Sequence, residues 1–80
     1  MLTPEQLQEY IAKGLECETL EVSGDGQHFE AMIVSSAFTG KTRIQRHQAV
    51  YAALGERMRE EIHALSMKTL TPEEWTALRG

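Results

Sequence analysis

The sequence has very little cysteine and no hydrophobic run long enough to cross a membrane. Cys17 is the only cysteine among 80 residues, so an internal disulfide and a zinc site made only of cysteines are excluded within one chain. No apolar stretch approaches the roughly 20 residues that a membrane helix needs. The first ten residues, MLTPEQLQEY, contain acids and no basic segment, which argues against a signal peptide. We therefore expect a cytoplasmic protein without a membrane partner.

Catalytic motifs are also missing. The sequence contains no Ser/His/Asp arrangement, no HExxH, no paired-carboxylate motif and no phosphate-binding loop. Its three histidines fall on different predicted elements, without a recognisable nucleophile. These absences predict a protein that is not an enzyme.

Basic residues are scarce, but they are unevenly spread. Eight Lys and Arg against twelve Asp and Glu give a net charge of −4, unlike the basic footprint of most nucleic-acid-binding domains. Lys41, Arg43 and Arg46 nevertheless share one stretch with no acid between Glu30 and Glu56. Cations at the start of a helix oppose its dipole, which is mild evidence for a use. This patch is either a contact surface for DNA or for another anionic partner, or a solvated helix start.

The length predicts a single domain, residues 1–80. A chain this short buries only roughly 60–65% of the surface that its unfolded form exposes, so its core is small. There is room for a binding surface, but little for a deep enclosed active site.

Helix boundaries are marked by two similar motifs. Residues 3–6 read TPEQ and residues 71–74 read TPEE, which are both capping boxes with proline at the first helical position. The first helix then repeats Leu7, Ile11 and Leu15 along one face and is expected to end at Gly14. The last helix is short and is predicted to pack through Trp75 and Leu78.

Three segments have the pattern of strands. TLEVS (19–23) and QHFEAMIVSS (27–36) flank GDG (24–26), which together predict a hairpin. HALSMKTL (63–70) alternates again and predicts a third strand.

A central helical segment separates the hairpin from the third strand. Thr42 can cap it, and Gly55 is expected to divide it into two pieces. Its apolar residues recur at steps of three and four, which predicts a stripe facing the core. The stripe consists of Ile44, His47, Tyr51, Leu54 and Met58.

The predicted order is α-β-β-α-α-β-α, an α+β fold with a three-stranded mixed sheet and helices packed on one face. A strand–helices–strand connection of this length commonly returns parallel. If the second and third strands are parallel neighbours, their starts lie at the same end of the sheet. His28 and His63 would then lie close together.

Two segments, 26–54 and 63–75, resemble the BolA family over nearly the whole chain. The first, GQHFEAMIVSSAFTGKTRIQRHQAVYAAL, resembles the family's Phe-containing strand with its VS ending, F-x-G, and R-H before a helix. The second, HALSMKTLTPEEW, resembles its His-Ala start followed by T-P-x-x-W. The short hairpin loop GDGQ is more similar to the IbaG-like bacterial branch than to members with a longer loop.

The resemblance implies a KH-like fold and two alternative functions. One is to bind a monothiol glutaredoxin and share a two-iron two-sulfur cluster in a heterodimer, for iron–sulfur trafficking or iron regulation. The other is that of a DNA-binding transcriptional regulator of the stress response, through a helix-turn-helix-like surface with Lys41, Arg43 and Arg46 as phosphate contacts. The KH loop GxxG is absent, because FTGK has one glycine. The apo domain is expected to be a monomer or weak homodimer, with no cofactor of its own.

The resemblance also implies metal ligands. His63, in the His-Ala motif, would be the main cluster ligand; the alternative is a strand-edge histidine bonded to backbone. The family often uses a second ligand in the hairpin loop, where this chain has Asp25 and, nearest among histidines, His28. His47 is interpreted as a satisfied, largely buried structural histidine, and Cys17 as a small hydrophobe.

Overall fold

The computed structural model describes all of residues 1–80 and has the element order predicted from the sequence. A short 3-10 turn, Ser36–Phe38, is the one addition. None of the helices combines the length and apolarity that crossing a bilayer requires. The elements are α1 (Pro4–Gly14), β1 (Thr19–Gly24), β2 (His28–Val34), α2 (Arg43–Leu54), α3 (Glu56–Glu60), β3 (Ala64–Leu70) and α4 (Pro72–Arg79).

Three of the four helices begin with the same pair of hydrogen bonds. In each, a threonine hydroxyl accepts from the backbone N–H three residues later, and the side chain at that position accepts from the threonine N–H. Each box satisfies two backbone donors that a helix start leaves free. The pairs are Thr3 with Gln6, Thr42 with Gln45, and Thr71 with Glu74.

The sheet has the order β1-β2-β3 and is mixed, as predicted. β1 pairs antiparallel with β2 through a tight turn, with Gly24 opposite Phe29. β3 returns after the helices and pairs parallel with β2, with His28 opposite Ala64 and Val34 opposite Leu70. The parallel pair therefore aligns the starts of β2 and β3 at one end of the sheet, and their ends at the other.

Helices α1 and α2 cover one face of the sheet, where the core lies. Alternate residues of β2 point into this core and are buried, while His28, Glu30 and Met32 lie on the opposite face together with Ser66 and Lys68 of β3. The buried hydrophobic cluster contains Leu2, Leu7, Ile11, Phe29, Ala31, Ile33, Phe38, Val50, Leu54 and Ile62.

Two glycines control how the helices fit together. A Cβ atom on Gly14, at the end of α1, would lie 2.7 Å from Cβ of Ala53 in α2, so only glycine permits this crossing. Gly55 separates α2 from α3 with a φ of 59°, a value that other residues rarely adopt. The predicted helix break at Gly55 is confirmed.

The predicted core stripe of α2 is wrong in part. Val50 and Leu54 are fully or almost fully buried, but Ile44 is 71% exposed and Tyr51 is 40% exposed. The close contact between Gly14 and Ala53 sets the rotation of α2 about its axis, so the side of the helix carrying Ile44 and Tyr51 faces away from the core. The spacing of apolar residues within α2 cannot predict this contact, because it joins two different helices.

Helix α4 also packs less than predicted. It contains no fully buried residue, Trp75 is half-buried, and Leu78 is 60% exposed. The guanidinium of Arg79 lies 5.6 Å from the centre of the Trp75 ring, on its exposed side. Helix α4 follows directly after β3 and contacts the sheet only near the end of that strand, so its outer face stays in solvent.

Candidate functional site

The two candidate ligand histidines lie at one end of the sheet, at the starts of neighbouring strands. His28 is the first residue of β2 and pairs with Ala64, the first residue of β3. His63 immediately precedes Ala64, and both histidines are exposed. The prediction that these strands are parallel neighbours with a common starting end is confirmed. We call this end of the sheet the histidine edge.

His63 is held at the histidine edge by the residue before it. Ile62 is only 6% exposed and belongs to the hydrophobic cluster, while His63 faces solvent. A small cleft of about 90 Å³ beside His63 is lined by the end of α3 and by Ile62. Ile62 was not predicted as an anchor, although an apolar residue just before a strand is a signal for one.

His28 makes one side-chain hydrogen bond. Its Nε2 lies 3.1 Å from Oγ of Ser66, on the open face of the sheet. Ser66 lies two residues beyond Ala64 on β3, so the parallel register brings these side chains together. The Ser66 contact was not predicted, because it depends on the register between two strands far apart in sequence.

Asp25 shapes the loop that leads to His28. Its Oδ1 accepts hydrogen bonds from the backbone N–H groups of His28 and Gln27, both at 2.9 Å. These hydrogen bonds, that of His28 first, lower the pKa of Asp25 below its ordinary value. The resemblance placed Asp25 nearest to a second ligand position, but one of its carboxylate oxygens is used by the loop itself.

The histidine edge does not contain a complete set of metal ligands. Nowhere in residues 1–80 do three or more His, Cys, Asp or Glu side chains come together to hold a metal ion. The edge offers two exposed imidazoles, and a neutral imidazole is a common metal ligand.

Cys17 is not part of this edge. Its side chain packs half-buried against the hydrophobic cluster, and its S–H donates to the carbonyl oxygen of Leu15 at 3.3 Å. Burial raises the pKa of the Cys17 thiol, which disfavours the thiolate that binds metals. Its interpretation as a small hydrophobe agrees with this environment.

His47 differs from the satisfied, largely buried histidine predicted. It is half-buried, and its Nε2 is enclosed without a hydrogen-bond partner. Burial, followed by the charge of Arg43, lowers the pKa of His47. His47 therefore prefers the neutral form within α2.

The three basic residues of the predicted patch are not equivalent. Lys41 and Arg43 are exposed, and neither has an acidic side chain within 4 Å. The Arg46 guanidinium instead pairs with both carboxylate oxygens of Glu74, at 2.7 and 3.2 Å. It also donates to the carbonyl oxygens of Thr69 and Lys41. Arg46 is thus engaged within the domain, and its role as a phosphate contact stays a prediction.

Glu74 joins the last helix to the rest of the domain. One of its oxygens closes the capping box by accepting from the Thr71 N–H, and the same carboxylate binds Arg46 of α2. The Arg46 hydrogen bond, followed by the backbone of Thr71, lowers the pKa of Glu74 to about 2. The capping role was predicted, but the ion pair between helices was not.

Comparison with known proteins gives consistent matches. The family model described as BolA-like protein matches residues 7–74. The acid stress protein IbaG of Escherichia coli (strain K12) is 38% identical over 71 residues, which cover 88% of this chain and 84% of that protein. The DNA-binding transcriptional regulator BolA of the same organism is 30% identical over 89 aligned positions, covering 99% and 85%.

Solved structures agree with these matches. A bolA protein homologue from Coxiella burnetii superposes with a TM-score of 0.83 at 43% sequence identity, covering 95% of this chain and 99% of that one. The chain thus matches the family model over most of its length. It also has the mixed three-stranded sheet, the capped helices and a histidine directly before Ala64 of β3. The chain belongs to the BolA-like protein family.

Proposed function

We propose that this domain binds a monothiol glutaredoxin and shares a two-iron two-sulfur cluster with it, as a carrier in iron–sulfur trafficking or iron regulation. The observation that carries the proposal is the histidine edge, where parallel pairing aligns His28 with Ala64, directly after His63. The domain acts as a binding protein rather than as an enzyme.

His63 is the main ligand in this proposal and His28 the second. Both imidazoles are exposed, so a partner can approach them without unfolding any element. Because no third ligand side chain accompanies them, the glutaredoxin cysteine and a soluble thiol would complete the iron coordination. The cluster, when bound, supplies the exchangeable iron; the domain supplies two neutral nitrogen donors.

The test is titration of the domain with a cluster-loaded monothiol glutaredoxin, followed by visible circular dichroism. We expect a heterodimer with a changed spectrum. His63→Ala should abolish this signature, because it removes the main donor while leaving the core untouched. His28→Ala should reduce it in part.

Cys17→Ser serves as the matched control, since it removes a side chain that can bind metals but lies away from the histidine edge. It should leave the spectrum unchanged. Far-ultraviolet circular dichroism of the apo variants checks their folding. A normal cluster spectrum from a folded His63→Ala protein would show that His63 is not a ligand.

DNA binding is the second candidate function. It is favoured by the name of one relative, a DNA-binding transcriptional regulator from Escherichia coli, and by the unpaired cations Lys41 and Arg43. With Arg46 engaged by Glu74, two phosphate contacts remain. They predict weak binding, with a salt slope of about −1.8 on a double-logarithmic plot. The test is titration of duplex DNA with the unmodified domain at low salt. No binding under these conditions would exclude this function.

A further inference from the structure

A shallow groove lies between the start of α2 and the end of α4. It has a volume of about 480 Å³. It lies at the end of the sheet where β3 finishes, since Thr69 and Leu70 line it. The other lining residues are Arg43, Arg46, Glu74, Ala77 and Leu78.

The groove is apolar along one side. Its apolar lining residues are Leu70 of β3, which is 9% exposed, and Ala77 and Leu78 of α4. Leu78 is 60% exposed, and Ile44, next to Arg43 in the first turn of α2, is 71% exposed. The other two exposed large hydrophobic side chains are Met1, at 93%, and Tyr51, at 40%. Covering this surface would remove apolar area from water.

The charge around the groove is opposite to that of the whole protein. Its one acidic residue, Glu74, is neutralised by Arg46. Arg43 and the nearby Lys41 have no acidic side chain within 4 Å, although the protein has a net charge of −4. The groove is therefore a locally positive, partly apolar surface.

We propose that this groove binds an acidic segment of a partner protein, which places an apolar side chain against Leu70 and Leu78 and its carboxylates near Arg43 and Lys41. Nucleic acid would use the two cations but would leave the apolar wall without a contact. The combination of exposed apolar side chains and unpaired cations thus favours a protein segment.

The groove is separate from the histidine edge. β2 and β3 start at the histidine edge, and β3 ends at the groove, so the length of a seven-residue strand, about 20 Å, separates the two surfaces. The two surfaces thus lie at opposite ends of the sheet, and this inference does not depend on the cluster.

The test uses a synthetic peptide of Glu and Ser residues with a central Leu-Leu pair. Titration into isotopically labelled protein should shift amide resonances of Arg43, Ala77 and Leu78, but not those of His28 and His63. Fluorescence anisotropy should show binding that weakens about tenfold in Arg43→Glu, because a favourable charge becomes repulsive. Leu78→Ser should weaken it several-fold, and so should replacing the Leu-Leu pair of the peptide by Ser.

Arg59→Glu is the matched control, because it makes the same charge change on an exposed arginine of α3. It should retain peptide binding, and circular dichroism should show all variants folded. Three results would overturn the proposal: no peptide binding to the unmodified protein, an equal loss in Arg59→Glu, or binding of duplex DNA in place of the peptide with no effect of Leu78→Ser.

Discussion

At the scale of single residues, Glu74 combines a helix cap with an ion pair between two helices. It accepts from the Thr71 backbone and from Arg46, and its pKa is lowered to about 2 from an ordinary value of 4.5. A carboxylate with a lowered pKa stabilises the fold above its unfolded-state pKa, and this stabilisation disappears as pH falls from about 4.5 toward 2. The domain should therefore lose part of its stability in this pH range through Glu74.

We predict that Glu74→Gln is less stable than the unmodified protein at pH 7, and that the difference closes as pH falls toward 2. Gln keeps the shape of the side chain but cannot carry the charge that Arg46 requires. The measurement is urea unfolding followed by circular dichroism at several pH values. Glu73→Gln, one residue earlier and without an ion pair, should follow the unmodified protein. A difference that persists at pH 2 would contradict the charge-based explanation.

Ser66 is the residue whose role follows most directly from the geometry at the histidine edge. Its Oγ lies 3.1 Å from Nε2 of His28, so Nδ1 is the ring nitrogen without a side-chain partner. Partners that orient a ligating histidine in this way typically contribute 10- to 100-fold in metal affinity. If His28 is a cluster ligand, Ser66 holds its ring.

We predict that Ser66→Ala weakens cluster sharing with glutaredoxin about tenfold without changing apo stability. Visible circular dichroism titration measures the first effect and thermal unfolding the second. Ser23→Ala, on the exposed part of β1, is the control. Equal titrations for Ser66→Ala and the unmodified protein would mean that this hydrogen bond does not orient a ligand.

At the scale of elements, the crossing of α1 and α2 depends on Gly14. We predict that Gly14→Ala costs about 1–3 kcal/mol in the free energy of unfolding, because the new methyl group would overlap Cβ and backbone atoms of Ala53. Chemical denaturation measures this cost. Lys13→Ala, on the exposed side of the same helix, should change stability by about 0.5 kcal/mol at most. A Gly14→Ala protein as stable as the Lys13→Ala protein would show that the helices can move apart freely.

The elements themselves could be predicted because their signals are local. The capping threonines Thr3 and Thr71, the turn after β1 and the break at Gly55 each depend on a few neighbouring residues. The common end of β2 and β3, and hence the histidine edge, followed from the usual geometry of a strand–helices–strand connection.

The remaining features could not be predicted because they depend on distant contacts. The rotation of α2, which exposes Ile44 and Tyr51, is set by its contact with α1. The engagement of Arg46 by Glu74 requires two helices to meet, and the contact of His28 with Ser66 requires the strand register. No local pattern contains this information.

At the scale of the whole molecule, the parallel pair β2–β3 connects the two candidate surfaces. One end of the pair carries His28 and His63, and the other end carries the groove at Leu70. Helices cover only one face of the sheet, so the polar face bearing Glu30 and Lys68 remains open between these ends. A domain of 80 residues thereby carries two separate candidate binding surfaces without a second core.

The parallel pairing also determines when the histidine edge can form during folding. β1 and β2 are joined by a tight turn, so their hairpin closes a short loop at little entropic cost. β3 pairs with β2 only after the chain has passed through α2 and α3, which makes this the contact of highest contact order in the sheet. The histidine edge therefore forms only when this long-range pairing is made, which follows the local closure of the hairpin. Without the pairing of β3 with β2, the chain carries both histidines but does not hold them at one end of the sheet.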